Sequence, residues 1–201
     1  MVHWQPESGQ GLPEASSSDS LGVETGWYFD NYDNSDCCSP TLTIAPEKGQ
    51  FVHTLKDVVA CLGYASVDVC VQSSHETDVV TYQRNHIDTD ELEQILARFR
   101  TLLLGDHGMG MVIIDPSSDY VVMLQSRKVI EVVGALREDF TAVCRMHGIP
   151  HNPKLQLLDA GGLDGISVGY QQKFDLFIKA LAAEALRQEK DEEEDSPHSP
   201  L

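Results

Sequence analysis

Residues 110–125 read Gly-Met-Val-Ile-Ile-Asp-Pro-Ser-Ser-Asp-Tyr-Val-Val-Met-Leu-Gln. Two runs rich in β-branched side chains flank the polar turn Pro116-Ser117-Ser118-Asp119. That pattern predicts a β-hairpin, because Pro, Ser and Asp favour turn geometry and branched aliphatics favour extended chain. Both runs are almost continuously apolar, so each face of the ribbon is expected to be covered. A covered ribbon needs helices, and the flanking sequence supplies them.

On the C-terminal side, residues 128–133 fit either a helix face or a third strand. Their density of Val and Ile favours the strand. A helix over 135–147 follows, with Leu136, Phe140 and Val143 inward and Gly148 and Pro150 closing it. Lys154 to Asp159 reads as a strand, 160–165 as a loop and 166–168 as a short strand. A last helix over about 170–189 carries Tyr170, Phe174, Phe177, Ile178, Leu181 and Leu186 on one broad apolar side.

On the N-terminal side, Asp88 or Thr89 opens the best helix of the chain. Asp90, Glu91 and Glu93 fill its first turn, where the helix dipole favours negative charge. Leu92, Ile95, Leu96, Phe99, Leu102 and Leu103 follow helical spacing, and Gly105 ends it. Val67, Val69 and Val71 alternate with polar or small residues as in a strand, and 79–84 is its expected partner. Thr54 caps a short helix over 55–62, with Gly63 as its stop. Residues 14–21 and 30–36 have no apolar period, and residues 1–50 read as a disordered or loosely docked tail, as does the acidic stretch 189–201. Within the first tail, Trp27-Tyr28-Phe29 reads as an aromatic anchor that docks on the domain or on a partner.

These elements predict an α+β fold over 51–188: a mixed or antiparallel sheet of about five strands packed with three to four helices. Between residues 54 and 147 their order resembles the roadblock and longin type of α/β sandwich. The resemblance is one of element order, and it implies dimerising scaffold behaviour.

The chain has 201 residues and a formal charge of −18. Residues 1–50 carry −7 and residues 187–201 carry −4, so the stretch between is only moderately acidic. This balance argues against phosphate-backbone binding, which needs clustered Lys and Arg, and against anionic membrane surfaces. No run of about 18 apolar residues predicts a membrane span. The first residues lack the basic and apolar regions of a secretory signal. The odd set Cys37, Cys38, Cys61, Cys70 and Cys144 then points to reduced thiols in a cytoplasm.

Few residues carry recognisable chemistry. Cys144, His147 and His151 have the short spacing of zinc donors, but three ligands do not complete a tetrahedral site. Residues 159–165 are Gly-rich but lack the Gly-Lys-Ser/Thr of a phosphate loop, so no nucleotide cofactor is expected. The segment from Asp30 to Asp36 lacks the Gly and final Glu of a calcium loop. Loop carboxylates and histidines gather at His75, Glu76 and Asp78, at His86, Asp88 and Asp90, and at Asp106 and His107. A small hydrolase or metal-dependent enzyme could use such groups if the fold brought them together. Two Ser-Pro steps, at Ser196 and Ser199, lie in the acidic tail and suit proline-directed phosphorylation. The leading expectation is a non-enzymatic, cytoplasmic protein-binding or adaptor domain, or a homodimer. Trp27, Tyr28, Phe29, Phe174, Phe177 and Leu181 are its candidate interaction residues, and neither nucleic acid nor membrane is an expected partner.

Overall fold

The computed structural model describes residues 24–30, 40–73, 80–118, 120–125, 127–134, 138–157 and 168–186. In chain order the elements are β1 (Gly26–Asp30), β2 (Thr41–Ala45), α1 (Phe51–Ala60), β3 (Ser66–Ser73), β4 (Val80–Asp88), α2 (Thr89–Arg98), α3 (Arg100–Gly105), β5 (Met109–Ile114), β6 (Val121–Leu124), β7 (Ile130–Val133), α4 (Glu138–Met146), α5 (Val168–Leu181) and β8 (Glu184–Ala185). The strands form one antiparallel sheet in the order β1-β2-β7-β6-β5-β3-β4-β8.

β5 and β6 are the expected hairpin, with Met111 opposite Leu124 and Ile114 opposite Val121. Asp115 makes the turn. Its carboxylate accepts hydrogen bonds from the Ser117 N–H at 2.9 Å and the Ser117 hydroxyl at 2.7 Å. The Ser118 hydroxyl also donates to it. Burial pushes this carboxyl up, but the serine hydrogen bonds outweigh burial and hold it below its ordinary value.

α2 begins as its sequence dictates. The Asp88 side chain accepts from the N–H groups of Asp90 and Glu91, satisfying two of the donors a helix start leaves open. Residues 128–133 contain a strand, β7, paired with both β2 and β6. α1 starts earlier than expected. Thr54 lies inside it and returns its hydroxyl to the Gln50 carbonyl at 3.1 Å, so it does not act as the cap.

The expectation of about five strands and three to four helices is corrected to eight strands and five helices among the described residues. Two of the additional strands come from residues expected to be tail. Trp27 and Phe29 alternate with Tyr28, Leu42 and Ile44 alternate with Thr43, and β1 pairs with β2 over five positions. Each run is short and sits among acidic and polar residues, which hides a period of two. The sheet therefore takes up residues well before Phe51.

The end of the chain also differs. Residues 155–157 form no strand, and α5 already begins at Val168. α5 then stops at Leu181, short of the expected end near 189. Ala182 takes φ +50°, its N–H reaches the Lys179 carbonyl, and the Ala183 N–H reaches the Ile178 carbonyl. This paired bonding around a left-handed residue is the usual helix stop, with alanine where glycine fits best. Ala182→Gly is therefore expected to stabilise the fold by roughly 0.5–1 kcal/mol, read as a higher urea midpoint at unchanged slope.

The helices cover one face of the sheet. α1 packs on α2, α3 and α4, while α5 packs on α2, α3 and β4. Alternate strand residues Val67, Val69, Val71, Met111, Ile113, Val122, Leu124, Ile130 and Val132 join Phe51, Leu55, Leu92, Leu96, Leu102, Phe140, Phe174 and Phe177 in a single core. Among the described residues no helix packs on the opposite face. The cover expected on that face of the 110–125 ribbon is not supplied by α1 to α5, and its side chains are half-buried.

Candidate functional site

The sheet face on which no described helix packs is built from the residues that alternate with the core. Register places Val112 beside Met123, and Ile114 beside Val121, which in turn lies beside Val133. All five side chains are half-buried, and none belongs to the core or to the apolar residues packed against it. They form a continuous apolar strip across β5, β6 and β7. Its rim is polar. Asp68 on β3 is opposite Ile114. Glu131 on β7 is opposite Met123 and accepts a hydrogen bond from the Gln125 amide at 2.8 Å.

At one end of the strip the surface drops into a hollow of about 330 Å³, lined by Gln72, His107, Gly110, Val112, Met123 and Gln125 among others. Gly110 lies opposite Gln72. Gln125 comes one position after the Met111–Leu124 pair on the other side. Behind this end of the sheet sits a buried Lys–Asp pair. Lys128, 5% exposed with φ +63°, donates its ammonium to the Asp106 backbone carbonyl. Burial pulls the lysine down to about 8, and the Asp106 charge only partly restores it. The Asp106 carboxylate is itself buried and accepts from the Gly108 N–H at 2.9 Å. Lys128 thus ties the β6–β7 turn to the end of α3.

Searched against protein-family models, curated proteins and solved structures, the chain matches none of them. The site is therefore read from its own residues.

The three zinc-spaced residues are not brought together. Cys144 is fully buried on α4, where burial pushes its thiol up to about 12. A metal ligand would need the thiolate. The His147 Nε2 lies 2.7 Å from an Asp57 carboxylate oxygen on α1. His151 stacks on Trp27, ring centroids 4.4 Å apart. No group of three or more His, Cys, Asp or Glu that could hold a metal occurs among the described residues.

The loop clusters also separate. His75, Glu76 and Asp78 lie outside the described residues, as do 159–165 and the two Ser-Pro steps. His86 is exposed near Asp68, with Nδ1 3.6 Å from its carboxylate, while Asp88 is consumed as the α2 cap. Among the described residues of these clusters, His107 is the one that lines the hollow.

The candidate interaction residues have duties inside the fold. Trp27, Tyr28 and Phe29 make up most of β1. Residues 150–152 run beside this strand, the Trp27 N–H donating to Pro150 at 2.9 Å and the Asn152 N–H donating to Trp27 at 2.8 Å. Phe174, Phe177 and Leu181 are at most 1% exposed, so their apolar side is spent on the chain's own core. Phe174 meets Tyr82 edge-on, and Phe177 meets Phe99. Residues such as Val121 and Met123 escaped notice because each belongs to a run that is apolar at every position. The one outward signal was Gly110, a glycine inside a strand pattern.

Proposed function

We propose that the chain is a non-enzymatic protein-binding or adaptor domain that presents the open face of its sheet to a partner protein. The observation that supports this is the strip Val112, Ile114, Val121, Met123 and Val133, continuous across three strands and outside the core. A contiguous apolar surface rimmed by Asp68, Glu131 and Gln125 has the make-up of an interface, with a greasy centre and polar edges. The acidic balance suits a protein partner better than nucleic acid. No described helix is long and apolar enough to cross a membrane. A reducing, cytoplasmic setting accords with the thiols of Cys70 and Cys144, neither of which is in a disulfide.

The test is a paired substitution, Val121→Asp with Val133→Lys. These residues are cross-strand neighbours, so the new charges are opposite in sign and keep the sheet paired. The melting temperature is expected to stay within about 5 °C, because neither side chain is in the core. Proteins retained from cell extract by the wild-type chain should be lost with the variant. Light scattering of both forms separates self-association from a different partner. An identical set of retained proteins and an identical mass for both forms would refute the reading.

A further inference from the structure

Gly110 is not demanded by the backbone. It is not among the residues with positive φ, and a Cβ built there would meet only the Leu124 carbonyl oxygen at 3.7 Å, an ordinary contact. Glycine in a strand interior weakens the strand, so its presence without a steric need calls for another reason. The consequence of leaving the side chain out is visible: the hollow of about 330 Å³ opens above it. Val112 and the Met123 thioether bound the hollow along the strands, and the amides of Gln72 and Gln125 stand to either side. Among the described residues its lining contains no Asp, Glu, Lys or Arg, and His107 is the one titratable residue.

We propose that this hollow is a binding site for a neutral aromatic group of one or two rings with a hydrogen-bonding edge. The volume lies at the small end of the ligand-site range, roughly 300–1,000 Å³. A flat ring lies well on the bare peptide of a glycine, and a thioether makes favourable contact with an aromatic edge. The glutamine amides supply donors and acceptors for a hydroxyl, ring N–H or amide. An anionic ligand would lose its hydration with no positive charge among the described lining residues to replace it, and would meet the Glu131 carboxylate that holds the Gln125 amide. The hollow shares Val112 and Met123 with the apolar strip, but the proposal rests on Gly110, Gln72 and Gln125, and its test does not depend on a partner at Val121 and Val133.

The test is methyl NMR on the full chain carrying ¹³C-methyl methionine, with Met123 as reporter and Met146 on α4 as a remote control. The probes are indole and 4-hydroxybenzamide as free molecules, and N-acetyl-tryptophanamide as the side-chain form. Benzoate serves as the charged counterpart. Saturable shifts of the Met123 methyl, half-complete at roughly 0.1–5 mM, are expected with the neutral probes. At least tenfold weaker effects are expected with benzoate. Gly110→Val fills the hollow and should weaken the neutral probes at least tenfold while the melting temperature stays the same or rises. If indole binds and N-acetyl-tryptophanamide does not, the site takes free molecules. If the amide binds at least as well, it takes a side chain of a partner. No saturable shift with any neutral probe up to about 10 mM, or equal binding to Gly110→Val, overturns the proposal.

Discussion

Truncating Phe177 to alanine is expected to cost about 3–5 kcal/mol, a large share of the roughly 5–15 kcal/mol that holds a domain of this size together. Phe177 is completely buried, and its ring meets Phe99 edge-on with centroids 5.4 Å apart. Phe99 is the residue at which α2 gives way to α3. The substitution therefore removes the ring that joins α5 to both of those helices and leaves a cavity that a 14-residue helix closes only by moving. The melting temperature should drop by roughly 10 °C, with a lower urea midpoint. Leu176, the preceding residue, is 57% exposed, and Leu176→Ala should change stability by no more than about 0.5 kcal/mol. The pair separates two roles for the apolar side of α5. A core helix loses stability at Phe177 and little at Leu176. A helix reserved for a partner would keep its melting temperature in both variants and lose only binding, and that result would overturn the packing described here.

The difference between these roles also shows what the residues alone could disclose. Periodicity located α2, α4, α5 and the 110–125 hairpin because each has a long or strongly patterned apolar set. It could not say what the apolar side of α5 faces, since burial against one's own sheet and burial against a partner demand the same side chains. Nor could it tell which face of β5 and β6 is outward, because Met111, Val112, Ile113 and Ile114 are alike in hydropathy. Only the placement of α1 to α5 on one side makes Val112 and Ile114 outward. β1 and β2 were hidden for the opposite reason. They are five residues each, set among polar residues, and their pairing with each other and with β7 is a tertiary fact. The Lys128–Asp106 pair links residues 22 positions apart, and a Lys beside Arg127 reads as an ordinary solvated turn. The hollow left one trace, Gly110, whose meaning depends on neighbours in β3 and after β6.

Lys128 and Cys144 should bend the alkaline stability curve in opposite directions. Lys128 is drawn down from 10.5 to about 8 by burial. Below pH 8 it is protonated in the folded and unfolded chains alike, and the full cost of burying the cation is present. Between pH 8 and 10.5 the folded chain releases this proton while the unfolded chain still holds it. The unfolded state then binds more protons, so stability rises with pH, in total by about 3 kcal/mol for a shift of this size. Cys144 has the opposite sign. Burial pushes its thiol from 9.0 up to about 12, so above pH 9 the unfolded chain ionises while the folded chain does not, and stability falls as pH rises. Cys70, also raised by burial and by the nearby Asp68 charge, adds to that fall. Difference curves isolate each group, because every other titration is common to wild type and variant. Urea unfolding from pH 7 to 11 should show wild type gaining on Lys128→Met between pH 8 and 10.5, whatever the offset between them at pH 7. It should show wild type losing ground to Cys144→Ala above pH 9. A flat difference for Lys128→Met would mean that the ammonium reaches water, and the tie between the β6–β7 turn and the end of α3 would not exist as described. A flat difference for Cys144→Ala would place that thiol outside the core, within reach of a metal or an oxidant.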